Sequence, residues 1–205
     1  MDEANLALLE RVSAVYMKYG IKSVTMDDLA RELGISKKTI YKYFNDKKEL
    51  VMSIIEMKVE LNKAICINCQ QNSNNAIDGL NSLSELVIGH LKDVNPTVFY
   101  DLKKYHPEAM SIMEAHKWDF VYSMIKENIQ RGIKEKIYRS DLNVNIVAKL
   151  YISATDSIMN GTIFPWPEFK FQDLFNELII FHIKGMVNEK GREYLKHDSN
   201  FNHEN

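Results

Sequence analysis

Proline and glycine are scarce in this chain, 4 and 8 among 205 residues, so little in it forces turns or breaks helices. Acid and base nearly cancel, 28 against 26, which excludes a chain that binds nucleic acid or membrane by bulk charge. No apolar run is long enough to span a bilayer, and Met1-Asp2-Glu3 begins acidic where a secretion signal is basic and then apolar. The expectation is a cytoplasmic protein with no membrane partner. A Gly-rich phosphate loop, a GxSxG elbow and an HExxH pair are all missing. The histidines His90, His106, His116, His182, His197 and His203 lie far apart in sequence, so an enzyme is not expected, nor is a cofactor. Cysteine is down to Cys66 and Cys69, a lone CxxC without the second ligand pair that zinc needs. Structural or incidental thiols are the plain reading. A thiol- or metal-responsive sensor is the alternative.

Helix signals, in contrast, are plentiful. Between Val24 and Leu50 they are dense. Thr25 is an N-cap, and Asp28 three residues on can close a short-armed capping box. Met26, Leu29, Ala30 and Leu33 share one side of the helix that follows. Gly34 ends it, Ile35 fills the corner, and Ser36 caps a second helix that turns Ile40 and Phe44 inward. Asp46 caps a third, with Glu49 at its third position. The outer face carries Lys37, Lys38, Thr39, Tyr41 and Lys42, with Tyr43, Lys47 and Lys48 close behind. This is the grammar of a helix-turn-helix whose second helix enters a major groove. Ammonium and hydroxyl groups are donors to phosphate oxygens, and some reach base edges. The bland alternative is a solvated hairpin whose lysines only keep it soluble. Nine basic and four acidic residues between Arg11 and Lys48 make the surplus local, and leave the remainder acidic.

These residues carry a family resemblance. Thr25-Met26-Asp27-Asp28-Leu29-Ala30, Leu33-Gly34-Ile35-Ser36, Thr39-Ile40-Tyr41-Lys42-Tyr43-Phe44 and Lys47-Lys48-Glu49-Leu50 resemble the DNA-binding signature of the TetR family of transcriptional regulators. The close match runs from roughly Leu6 to Val51. Tyr43 stands where the family often has His, and Asn45-Asp46 where it often has Pro-Ser; neither change removes a donor. The resemblance implies a homodimeric regulator, most often a repressor, that reads a pseudo-palindromic operator in double-stranded DNA and is released by a small molecule. Lys37, Lys38, Thr39 and Tyr41 are the expected groove residues. Thr25, Ser36, Tyr41, Tyr43 and Lys47 are the expected phosphate anchors, with Lys42 and Lys48 in support.

The expected fold is all-α: a three-helix domain over residues 1–47 and a larger helical ligand-binding and dimerisation domain over 48–205. Periodicity predicts a first helix at Asn5–Lys18, stopped by Gly20, and a long helix from Lys47 to about Gln70, able to transmit tilt along its length. Gln71–Asn75 reads as a loop, and Ala76–Leu91 as a helix in which His90 joins the apolar set. Asn95-Pro96 and His106-Pro107 each open a helix, the second running to about Ile133, where Gly132 loosens its end. Two last helices are expected at 143–159 and 171–190. Both are apolar on more than one face, and so are expected to build a twofold four-helix dimer interface. Large soft side chains crowd 98–166, from Phe99 to Trp166. Phe99, Tyr100, Met110, Met113, Trp118, Tyr122 and Tyr151 are the expected lining of a cavity for a mostly apolar effector, bounded by the helices that start near Lys47, Ala76, Pro96 and Pro107.

Overall fold

The computed structural model describes residues 3–91, 94–95, 97–165 and 167–196. Pro96, Trp166, His197 and His203 lie outside the described residues, as does the side chain of His90. Helices account for nearly all regular structure: α1 Glu3–Tyr19, α2 Met26–Leu33, α3 Lys37–Tyr41, α4 Lys47–Asn72, α5 Ala76–Leu91, α6 Thr97–Tyr105, α7 Pro107–His116, a π-helical turn Lys117–Val121, α8 Tyr122–Lys134, α9 Val144–Asn160, α10 Phe171–Met186 and α11 Glu189–Lys196. The protein is all-α, with a helix-turn-helix near its start and a helical C-terminal region.

The chain divides into two compact units. One takes in the described residues up to Lys63 and those from Val94 to His116. The other takes in Ala64 to Leu91 and the described residues from Lys117 onward. Two of the three breaks fall inside helical chain, within α4 and between α7 and the π-turn, and the third lies between α5 and α6. Compactness therefore groups α6 and α7 with the N-terminal helices.

In the first unit, Leu9 of α1, Leu29 of α2, Ile40 of α3 and Leu50 of α4 are wholly buried in one core. Burying four such side chains contributes roughly 1.5–3 kcal/mol each. Val98 and Leu102 of α6 and Ala109 of α7 join the same core. Gly20 has φ +84, and a Cβ there would stand 2.6 Å from Thr97 Oγ1, so α6 approaches the α1–α2 turn too closely for a side chain.

In the second unit, α5, α8, α9 and α10 enclose a core around Ile77, Leu80, Ile125, Ile129, Ile152 and Ile183. The loop between α4 and α5 is held from α8. Arg131 donates to Gln70 O (3.0 Å), Ser73 O (2.9 Å) and Ser73 Oγ (2.7 Å). Glu135 accepts from Ala76 N at 2.8 Å and from Arg131 Nε at 2.7 Å. One ion pair thus satisfies the open end of α4 and the first turn of α5.

Three expectations are corrected here. The helix expected from Pro107 to Ile133 is interrupted at Lys117–Val121 by the π-turn, where Lys117 donates to Asp156 of α9 at 2.9 Å. Gly132 does not loosen α8. It lies under the Tyr138 ring, which an added Cβ would overlap, at 2.6 Å from Cγ. The helix expected over 171–190 stops at Met186. Val187 is extended and pairs with Tyr138, Arg139 N donates to Met186 O (2.9 Å), and Asn188 N donates to Ile137 O (3.1 Å). Beyond that bridge α11 forms, with Leu195 buried. Periodicity does not mark the end of α10 because the partner of Val187 is Tyr138, about fifty residues away in sequence.

Candidate nucleic-acid interface

The first unit builds its outer face from caps. Thr25 Oγ1 accepts from Asp28 N (3.1 Å) while Thr25 N donates to Asp28 Oδ2 (3.0 Å), closing the capping box. Gly34 sits at φ 64, in the left-handed conformation that ends α2. Ser36 Oγ accepts from Thr39 N at 3.1 Å and opens α3. Asp46 Oδ1 accepts from Glu49 N at 2.8 Å, and Glu49 Oε2 accepts from Asn45 N at 2.7 Å, a second reciprocal cap at the start of α4. Each cap contributes about 1 kcal/mol. Together they hold α3, only five residues long, at a fixed pose on α2.

With Ile40 wholly buried and Phe44 nearly so, the rest of α3 faces outward. Lys37, Lys38, Thr39, Tyr41 and Lys42 are exposed, and Tyr43 is half-buried. Lys37 pairs with Asp27 at 2.9 Å, an exposed ion pair that holds its ammonium above the usual lysine range and gives way readily to a phosphate. Among the described residues, Lys38 and Lys42 have no ion pair, and Lys42 lies 5.2 Å from the Tyr43 ring. Lys48 pairs with Glu108 of α7 at 2.5 Å. Thr25 and Ser36 are exposed at the starts of α2 and α3, with their hydroxyls engaged in the caps.

Lys47 is placed differently from a phosphate anchor. Its Nζ donates to Ile21 O and Val24 O, each at 2.6 Å, and lies 5.7 Å from the Tyr16 ring centroid. Burial pushes its pKa down, partly offset by the charges of Asp101 and Asp28. The expected outward role is corrected to an inward one: Lys47 staples the turn that leads into Thr25. Asp101 of α6, 5% exposed, holds the same turn by accepting from Lys22 N at 2.8 Å. Nothing in the sequence marks Asp101, one acid on a short helix.

The seven residues expected to line an effector cavity are divided between the two units. Phe99, Tyr100, Met110 and Met113 belong to the first unit; Trp118, Tyr122 and Tyr151 belong to the second. Tyr100 is largely exposed, Met110 and Met113 pack at the edge of the first core, and the Trp118 ring lies tilted beside Tyr122, centroids 6.0 Å apart. Tyr151 is buried, 5.0 Å from His182. A cavity of about 10 Å³, room for about one water molecule, lies within the second unit instead. It is lined by Cys66, Gln70, Gly79, Leu80, Leu83, Met124, Ile125 and Asn128. Burial pushes the Cys66 thiol up to about 11 and Cys69 upward as well, the opposite of the thiolate that redox or metal chemistry requires.

On α9 and α10, three large apolar side chains face outward: Ile146 (56% exposed), Leu150 (62%) and Phe181 (80%). No helix among the described residues is long and apolar enough to cross a membrane.

Comparison with known proteins agrees with this architecture. Residues 8–54 match the model of the bacterial regulatory proteins of the tetR family. The HTH-type transcriptional regulator YvaF of Bacillus subtilis is 26% identical over 142 residues, covering 66% of this chain and 71% of that protein. The HTH-type transcriptional repressor KstR2 of Mycolicibacterium smegmatis is 23% identical over 155 residues, 72% of this chain and 74% of its own. Among solved structures, a transcriptional regulator of Saccharomonospora viridis, crystallised with choline, superposes with a TM-score of 0.75 at 22% identity, over 92% of this chain and all of that one. The matched segment holds the whole capped helix-turn-helix, and the likeness in fold runs on through the helical remainder: the DNA-binding segment is that of the tetR family of bacterial regulatory proteins, and the rest of the chain is similar to its members.

Proposed function

We propose that this protein is a homodimeric repressor that reads a pseudo-palindromic operator with α3 and leaves it when a mostly apolar small molecule binds. The observation that carries the reading is the outer face of α3. Four buried or capped positions fix the helix, and every other side chain on it is a cation, a hydroxyl or a phenol. Lys37, Lys38, Thr39 and Tyr41 face the base edges; Thr25, Ser36, Tyr43 and Lys42 meet phosphates, with Lys48 once it leaves Glu108. In this division residues 1–47 read DNA and residues 48–205 bind the effector and the partner chain.

Ile146, Leu150 and Phe181 support pairing through 143–159 and 171–190, because apolar side chains this exposed call for a covering surface. The soft, apolar lining of Leu80, Leu83 and Met124 supports an effector that enters the second unit by opening its small cavity, near Tyr151. KstR2 is itself a repressor, and the Saccharomonospora viridis protein holds a small organic cation, so both halves of the proposal have precedent among relatives.

The test is selection of duplex DNA from a random-sequence pool, followed by affinity measurements on the selected site. Wild type is expected to enrich an inverted repeat. Lys38→Ala with Thr39→Ala should weaken binding by about 1–3 kcal/mol per lost base contact and relax preference at two symmetric positions. Enrichment of no duplex, or an unchanged preference in the double variant, rejects the assignment.

A further inference from the structure

The operator face is not the only basic surface of the first unit. α6 and the α1–α2 turn together carry Lys22, Lys103 and Lys104, all exposed, beside Tyr100 and Tyr105, which are 57% and 38% exposed. The cluster is built, not scattered. Lys104 Nζ donates to Tyr100 Oη at 2.8 Å and lies 5.5 Å from the Tyr105 ring centroid, while Lys22 Nζ lies 4.8 Å from that same ring. Tyr105 therefore stands between two ammonium groups. The turn and the helix are locked to each other by Asp101 on Lys22 N, by the close passage of Gly20 past Thr97, and by Asn95 N donating to Met17 O at 2.7 Å.

Among the described residues, Lys22, Lys103 and Lys104 form no ion pair, and the carboxylate nearest in effect to Lys22, that of Asp101, is buried and already engaged by the turn. Like charges held together on a surface repel each other unless an anion joins them, and Lys22 and Lys104 each have a phenol beside them as a second donor. A phosphate oxygen accepts from both.

Position decides which anion. Lys22 is three residues before Thr25, the cap of α2 on the proposed DNA face, so about 10 Å of chain at most separates them. Along one strand of a duplex, phosphates recur every ~3.4 Å of axis, so that distance corresponds to roughly three phosphates. We propose that Lys22, Lys103 and Lys104, with the hydroxyls of Tyr100 and Tyr105, form a second phosphate-binding surface that engages duplex DNA flanking the stretch read by α3. The proposal rests on the operator-reading function argued above, and it extends the footprint to a helix outside the helix-turn-helix.

The experiment compares a duplex selected by the wild-type protein, trimmed to its core, with the same core carrying ten base pairs of arbitrary sequence on each side. Affinity is measured across a potassium chloride series. Wild type is expected to bind the flanked duplex about tenfold more tightly at low salt, with a log–log salt slope steeper by about 0.9 per added phosphate. The triple variant Lys22→Gln, Lys103→Gln, Lys104→Gln should keep the core affinity and the thermal midpoint and lose the flank gain. Replacing the same three lysines by arginine should keep it. Failure of wild type to select any duplex removes the operator reading and this one with it. A wild type that binds core and flanked duplex alike, or a glutamine variant that retains the flank gain, overturns this proposal alone and leaves the basic cluster to some other anionic partner. A glutamine variant that weakens on the bare core assigns the lysines to the core contact and likewise overturns it.

Discussion

The two compact units are held together by contacts of different reach. In the first, the shape of the DNA-reading face follows from bonds three or four residues long: Thr25 with Asp28, Ser36 with Thr39, Asp46 with Glu49. In the second, several decisive contacts join residues far apart in the chain. Arg131 and Glu135 close the α4–α5 loop and Tyr138 pairs with Val187, while the Tyr138 ring also covers nearby Gly132. A short recognition helix cannot be stabilised by its own length, since helices under about 12–15 residues are marginal alone, so it depends on caps. The second unit differs: its contacts cross between helices, so that a change at one is felt at others.

That contrast makes Gly132 a sensitive position in the second unit. Gly132→Ala would drive its methyl into the Tyr138 ring, and the ring is itself buried and bonded to Asn128 Oδ1 at 3.4 Å. The ring has little room to retreat without breaking the Tyr138–Val187 bridge. The expected destabilisation is about 3 kcal/mol, the upper end for overpacking. Thermal denaturation should show two separated transitions, the second unit melting early and DNA binding by the first persisting into that range. A single transition with an unchanged midpoint would mean that Tyr138 moves freely.

The same contrast explains what could be read from the residues alone. The helix-turn-helix was legible down to individual caps, because N-caps, the Gly34 terminator and the inward Ile40 are all local signals. The start of α5 and the opening of α7 at Pro107 were legible for the same reason. The end of α10 at Met186 was not, because its apolar pattern runs through Val187 and it is the bridge to distant Tyr138 that draws Val187 out of the helix. The π-turn at Lys117–Val121 left no mark in a period that drifts by one residue. Within the site, side-chain type was readable and direction was not. Lys47 and Lys48 are neighbours with the same charge, yet one turns in to two carbonyls and the other out to Glu108.

Acid should sharpen the comparison next. His182 in α10 is 8% exposed, its Nε2 has no hydrogen-bond partner, and burial pushes it down from 6.5 to about 4. Between those values the unfolded chain takes a proton that the folded chain refuses, so stability rises with pH through the window and falls as pH drops. From pH 6.5 to pH 5 the loss attributable to this residue is on the order of 2 kcal/mol. Burial also lowers His106 and His116, in the first unit, so the whole-protein slope has several sources. His182→Leu isolates one of them. The variant should be as stable as wild type at pH 7.5 and more stable than it at pH 5; parallel stability curves for the two proteins would show that His182 charges without penalty.

The smallest expected effect tests one of the places where the first unit relies on longer reach. Lys47→Met removes the donor shared by Ile21 O and Val24 O while keeping an unbranched apolar stem beside Tyr16. The two bonds are part-buried, so water recovers some of the loss, and the expected destabilisation is about 1 kcal/mol. The functional consequence is separable from the thermodynamic one. A loosened turn lets Thr25 and the start of α2 wander, which should weaken DNA binding several-fold without altering the salt slope, because no cation has left the DNA face. An ammonium that instead bound a phosphate would take about 0.9 off that slope when removed. Affinity measured across a salt series thus distinguishes an inward staple from an outward anchor. Lys47→Arg gives the matching control, since it keeps the charge but presents a planar fork to two carbonyls arranged around a compact ammonium.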